Sequence, residues 1–205
     1  MGNEPAVPAV GMPDAGLGAF VRTGHVVFES GDHGDTWLAL DLLLADPRRL
    51  RAAAERLAAR LRPFAPAVVC GPLTGGAFVG LLVAEVLGAA FVPAARGAAR
   101  ATAAAVPIRY DLPAPLRPLL TGARVAIVDD AVNAGSATLA SRAAIEAAGG
   151  DVVAVGAIFA RDPGAAELLA ARGLPLVALH GLPFALWPAA ACPLCAAGVP
   201  LEVPS

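Results

Sequence analysis

The chain has 205 residues, 57% of them hydrophobic, and a formal net charge of −2, so no basic field points to nucleic acid. Its apolar runs are broken by Arg, Asp, Gly or Pro well short of the roughly 18–20 residues that span a bilayer. No basic stretch followed by an apolar one opens the chain, so neither a membrane segment nor a signal peptide is expected. The 15 basic residues are all Arg, which excludes a lysine Schiff base or lysine acid–base chemistry. Three cysteines are too few for a disulfide scaffold and fit a cytoplasmic setting.

Residues 1–17 are rich in Pro and Gly and read as a flexible arm. A short helix is expected over 14–23. Residues 24–45 read as two strands around a turn at Ser30-Gly31-Asp32-His33-Gly34. Asp46-Pro47 is a helix start, with Asp as N-cap and Pro in the first helical position. The helix that follows places Leu50, Leu57 and Leu61 on one face and Arg on the other. Ala67–Cys70 is a short buried strand that enters the turn Gly71-Pro72-Leu73-Thr74-Gly75-Gly76, and a helix follows to Gly88. Ala90–Ala94 is a further strand. Residues 95–105 have no apolar period and read as a mobile loop. Val106–Leu112 reads as a strand and 113–122 as a Pro-rich connection.

The next stretch, Val125 to Thr138, carries the chemistry. An apolar strand ends in two carboxylates, Asp129 and Asp130. Small residues follow, Asn133-Ala134-Gly135-Ser136-Ala137-Thr138, and then a helix to 148. The acids can accept hydrogen bonds from vicinal ribose hydroxyls. The turn can offer backbone N–H groups and hydroxyls to a phosphate, helped by the positive end of the helix. Asp151–Ala160 is a long strand that ends at Arg161-Asp162. A helix over 163–172, a strand over 175–179 and a Pro-rich tail complete the chain.

Alternation of strands and helices implies an α/β fold with a central parallel sheet flanked by helices. Ligands in such sheets bind beyond the carboxyl ends of the strands. The turns at 71–76, 95–105, 129–137 and 161–162 all follow strands and are expected on one rim.

The stretch VAIVDDAVNAGSAT resembles the phosphoribosyl-pyrophosphate (PRPP) signature of type I phosphoribosyltransferases. More of the chain resembles the bacterial orotate phosphoribosyltransferases. The shared features are Gly24 to Phe28 with Ser30-Gly31, the Gly71–Gly76 turn, the strand ending in Arg161, and Cys192-Pro193-Leu194-Cys195 followed by Gly198 to Leu201. The resemblance implies one phosphoribosyltransferase domain over 18–205, with a hood from 18–45 and 180–205 over a core of 46–179. It implies transfer of a phosphoribosyl group from PRPP to a pyrimidine base, orotate, with Mg²⁺ held through PRPP oxygens and water, in a homodimer. Asp129 and Asp130 would hold the ribose hydroxyls. Asn133, Ala134, Gly135, Ser136, Ala137 and Thr138 would cradle the 5′-phosphate, and Leu73, Thr74, Gly75 and Gly76 would meet the pyrophosphate. Arg161, Trp37 and Phe28 would face the base.

In the loop at 95–105, Arg96 and Arg100 are the charges available to pyrophosphate, where the family uses lysine and often histidine. Two further readings stay open. Asp32, Thr36 and Trp37 in the hood suit a relative with another acceptor base. The lysine-free loop suits a non-catalytic PRPP- or nucleotide-sensing protein.

Cys192 and Cys195 have the spacing of a zinc half-site, but a structural site takes four ligands. Only Cys70, His25, His33 and His180 could complete one, and no second paired motif accompanies the cysteines. The pair is therefore read as thiols that order the tail, and His25 and His33 as hood residues.

Overall fold

The computed structural model describes residues 17–28, 31–97, 109–133, 135–161 and 164–203. Residues 1–16, Ser30, residues 98–108 (Arg100 and the start of the strand expected over Val106–Leu112 among them), Ala134 and Asp162 lie outside them.

Six strands form the large sheet: β3 (Val68–Pro72), β4 (Ala90–Arg96), β5 (Tyr110–Asp111), β6 (Arg124–Val132), β7 (Asp151–Arg161) and β8 (Leu176–Leu182). Their order is β5-β4-β3-β6-β7-β8, all parallel except β5 at one edge. Apolar side chains occupy both faces, as a sheet covered twice requires. In β3, Val69 joins one core cluster and Val68 and Cys70 the other; in β6, Val128 joins the first and Val125 and Ile127 the second.

The first face is covered by α2 (Pro47–Leu61) and α3 (Gly75–Leu87). Pro47 opens α2 and the Arg49 N–H donates to the Asp46 carboxylate at 3.2 Å, which satisfies an otherwise orphaned donor. Leu50, Ala53, Ala54, Leu57, Ala58 and Leu61 form its buried stripe. On the second face, α4 (Ser136–Ala147) and α5 (Gly164–Ala170) contribute Ile145, Ala165 and Leu169.

A second, smaller sheet joins distant parts of the chain. It contains β1 (Val21–Val27), β2 (His33–Leu38) and β9 (Leu186–Trp187), all antiparallel. The tail pairs with the other edge of β1: the Val27 N–H donates to the Glu202 carbonyl at 3.2 Å, and the Glu202 N–H to the His25 carbonyl at 2.7 Å.

Several sequence expectations need correction. Residues 18–20 form one 3₁₀ turn, and the chain is already a strand from Val21, so no helix covers 14–23. Residues 40–44 are a helix, α1 (Leu40–Leu44), not the end of the second strand. The run Leu40-Asp41-Leu42-Leu43-Leu44 is too uniformly apolar for its period to separate the two states. The connection over 113–122 contains a 3₁₀ segment, Ala114–Leu120. Strand β4 runs on through Arg96, β8 through Leu182, and β6 through both acids to Val132. No helix among the described residues is long and apolar enough to cross a membrane.

Candidate functional site

The carboxyl ends of β3, β4, β6 and β7 face one rim; the turns expected at 71–76, 95–105 and 129–137 begin inside β3, β4 and β6, and Arg161 is the last residue of β7. Asp129 is within the β6–β7 ladder, opposite Ala157, and pairing continues at Ala131 with Phe159. The acids are therefore held by strand hydrogen bonds rather than by a loop. The Asp130 N–H donates to Asp129 Oδ1 at 3.0 Å, and the Ala131 N–H to Asp130 Oδ1 at 2.7 Å.

The two strand–turn–helix units meet at this pair. A Cβ on Gly76 would stand 2.5 Å from Asp129 Oδ1, and one on Gly75 would collide with the Asp130 carboxylate. The backbone between Leu73 and Thr74 is a cis peptide, and the Leu73 N–H donates to the Ala94 carbonyl at 2.8 Å. Leu73 and Thr74 are exposed at the rim.

Burial, and then the charge of Asp130, hold the Asp129 carboxyl well above the ordinary carboxylate range. Burial also raises Asp130, and the charge of Asp41 at the start of α1 adds to it. Arg96, which ends β4, stands opposite Tyr110 in the β4–β5 pairing. Burial and the charge of Asp129 push the Tyr110 phenol upward, while Arg96 pulls it down. Tyr110 and Asp41 thus belong to the surroundings of the acids. The sequence marks neither, because each lies on an element separate from β6.

Beyond the acids, Gly135 adopts φ +69° as the N-cap of α4, a conformation that favours glycine. Ser136 is exposed in the first turn, Ala137 is half-buried and Thr138 is buried. Asn133 is exposed and lines a cleft of about 400 Å³ with Phe28, Thr36, Trp37, Ala131, Phe184 and neighbouring residues. Phe28 and Trp37 come from the small sheet, so that sheet forms one wall. Asp32 is not part of the lining; its carbonyl accepts the Phe28 N–H at 2.9 Å. Arg161 ends β7, with its guanidinium 5.9 Å from the centre of the Phe184 ring. Its Nε is buried and has no hydrogen-bond partner among the described residues. A donor left in that state costs free energy and favours an acceptor.

The structure also assembles a group the sequence left apart. His25 and His33 lie against Cys192 and Cys195, with the four ligand atoms within 4.8 Å of one another. Cys70 lies elsewhere, in β3, where burial raises its thiol to about 12.

No family model matches the chain. The fold is that of the type I phosphoribosyltransferases: the orotate phosphoribosyltransferase of Aeropyrum pernix superposes with a TM-score of 0.63 at 24% identity, over 80% of this chain and 89% of that one. The adenine phosphoribosyltransferase of Thermoanaerobacter pseudethanolicus gives the same TM-score at 22% identity, over 82% and 98%. In sequence, the chain is 35% identical over 179 residues to the orotate phosphoribosyltransferase of Thermus thermophilus, covering 87% of this chain and 91% of the relative. It is 34% identical to that of Acidithiobacillus ferrooxidans, over 85% of each. The chain belongs to the orotate phosphoribosyltransferase family.

Proposed function

We propose that the protein transfers the phosphoribosyl group of PRPP to orotate, giving orotidine 5′-monophosphate and pyrophosphate. The observation that supports this reading most is the buried pair Asp129–Asp130, packed on Gly75–Gly76 and flanked by an aromatic cleft.

The acids accept hydrogen bonds from the ribose hydroxyls and stabilise positive charge as it builds on the sugar ring. Residues 133–138 hold the 5′-phosphate at the N-terminus of α4. Leu73, Thr74, Gly75 and Gly76 receive the pyrophosphate, whose charge Arg96 and Arg100 offset. Arg161, whose buried Nε lacks an acceptor among the described residues, donates to the orotate carboxylate. Phe28 and Trp37 cover the ring and exclude water. The oxygen-rich donors at this rim suit Mg²⁺, which keeps most of its ligands as water and substrate oxygens. Mg²⁺ so bound supplies charge neutralisation on the leaving pyrophosphate.

Assembly into a homodimer is part of the reading. Leu73, Phe78 and Leu81 at α3, and Leu42 on α1, are large apolar side chains about half exposed. Sedimentation of the protein, and of a Phe78→Glu, Leu81→Glu variant, tests it: the protein sediments as a dimer and the variant as a monomer.

The direct test incubates the protein with PRPP, Mg²⁺ and orotate and follows orotate loss. A chain without turnover above that of the Asp129→Asn, Asp130→Asn double variant would overturn the reading. An acceptor other than orotate is a second reading, supported by Thr36 and Trp37 in the cleft lining and by the equal fit of an adenine phosphoribosyltransferase fold. Release of pyrophosphate with another base, and not with orotate, distinguishes it. A non-catalytic sensing protein would bind PRPP yet release no pyrophosphate, whichever base is added.

A further inference from the structure

The junction of the small sheet and the tail holds four side chains that the transfer reaction does not use. His25 lies in β1, His33 opens β2, and Cys192 and Cys195 lie at the start and within α6 (Pro193–Ala196). We propose that His25 Nε2, His33 Nδ1 and the two Sγ atoms bind one zinc ion, which pins the β1–β2 hairpin to the tail.

Four of the six spacings among the ligand atoms are close to the edges of a tetrahedron around zinc, and all four atoms lie within 4.8 Å of one another. With Zn–N near 2.0–2.1 Å and Zn–S near 2.3 Å, tetrahedral edges are about 3.3 Å for N···N and about 3.6 Å for N···S. The two histidine nitrogens are 3.1 Å apart. Cys192 Sγ is 3.3 Å and Cys195 Sγ 3.6 Å from His25 Nε2, and Cys195 Sγ is 3.2 Å from His33 Nδ1.

The surrounding shell agrees. His25 Nδ1 is 2.8 Å from the Val199 carbonyl, which can only accept, so Nδ1 carries the proton and donates it as a hydrogen bond. That bond leaves the lone pair on Nε2, aimed at the other three groups, the arrangement that orients a zinc-bound histidine. Hydrogen bonding alone serves the cluster poorly. One lone pair on Nε2 faces His33 Nδ1 and two sulfurs, and thiols are weak donors. His25, His33 and Cys192 are buried, while Cys195 is exposed and gives an ion a way in.

The ion has a structural role. Four protein ligands close the coordination shell, with no position left for substrate. It fixes the hairpin that carries Phe28 and Trp37 and the tail that carries Val203, three of the residues lining the cleft.

The test needs no substrate, and its outcome is independent of whether transfer occurs. The full chain is purified without chelator and its zinc is measured: about one ion per chain is expected, falling to near zero in Cys192→Ser and His33→Gln and staying near one in Cys70→Ala. The unmodified protein is then stripped and reloaded with Co²⁺. Absorption of a tetrahedral cobalt centre with thiolate charge-transfer bands is expected. Alkylation of Cys192 and Cys195 should be fast in the stripped protein and slow in the loaded one. Absence of zinc together with absence of cobalt–thiolate bands overturns the proposal, as does a Cys192–Cys195 disulfide in the freshly purified chain.

Discussion

Gly76 meets Asp129 without room for a side chain between them: a Cβ on the glycine would lie 2.5 Å from Oδ1, and 3.0 Å from the Val128 carbonyl. The backbone carbonyl cannot yield as a flexible side chain would. Gly76→Ala therefore forces the turn and β6 apart. Overpacking of this kind costs about 1–3 kcal/mol. Thermal unfolding should show the loss, at about 2–4 °C in Tm per kcal/mol for a domain of this size. Under the proposed function, transfer falls as well, because the turn and the acids lose their common geometry.

The acids carry a pH signature. Both carboxyls sit above their ordinary range in the folded chain. The folded state therefore holds protons that the unfolded state has released, so stability falls as pH rises from about 4 toward the folded-state values. Above those values the full cost is present. Asp130→Asn removes part of it. This variant should unfold at a higher temperature than the parent at pH 8, and the difference should shrink as the pH is lowered toward about 4. The same variant should lose transfer. A Tm below the parent's at pH 8 would contradict this account of the pair.

Arg161 and Trp37 should separate base from PRPP. Loss of a charged hydrogen bond worth about 1.5–3 kcal/mol predicts a rise of about 10–100-fold in the KM for orotate in Arg161→Leu. Trp37→Ala gives up a ring contact of about 0.5–1.5 kcal/mol, or roughly 3–10-fold. Steady-state kinetics with each substrate varied in turn checks both, and the KM for PRPP should change little. A matching rise in the KM for PRPP would place Arg161 elsewhere in the site.

Asp46 offers a change confined to the fold. Its carboxylate accepts from the Arg49 N–H at the start of α2, away from the rim. Asp46→Ala should cost about 1 kcal/mol, the usual worth of an N-cap. Calorimetry should show a Tm lower by about 2–4 °C. The turnover number should not change.

Much of this arrangement is legible in the chain itself. The two strand–turn–helix units announce themselves because apolar runs end abruptly in Gly71–Gly76 and in Asp129–Gly135. Asp46-Pro47 marks α2 by capping chemistry alone. Other features depend on what lies opposite. Asp129 and Asp130 look like a strand end, yet the ladder with β7 carries the strand three residues past Asp129. Tyr110 and Arg96 come together through an antiparallel pairing that local sequence does not specify. His25 and His33 are eight residues apart and do not form a paired motif. An irregular register between Thr23 and Val26, and a turn with Gly31 at φ +84°, accompany the approach of the two rings, edge to face.

The small sheet also bears on the order of folding. The His25–Val199 contact closes across 174 residues, whereas the large sheet grows through neighbouring strand–helix–strand units. Contacts between remote residues are the slow ones, since the loop between them must first be closed. The large sheet can therefore form early, with the acids and glycine turns in place, while the β1–β2 hairpin still lacks its second border. Only when residues 186–202 arrive does the aromatic wall take its position. Phosphate recognition should accordingly appear before base recognition as the chain folds.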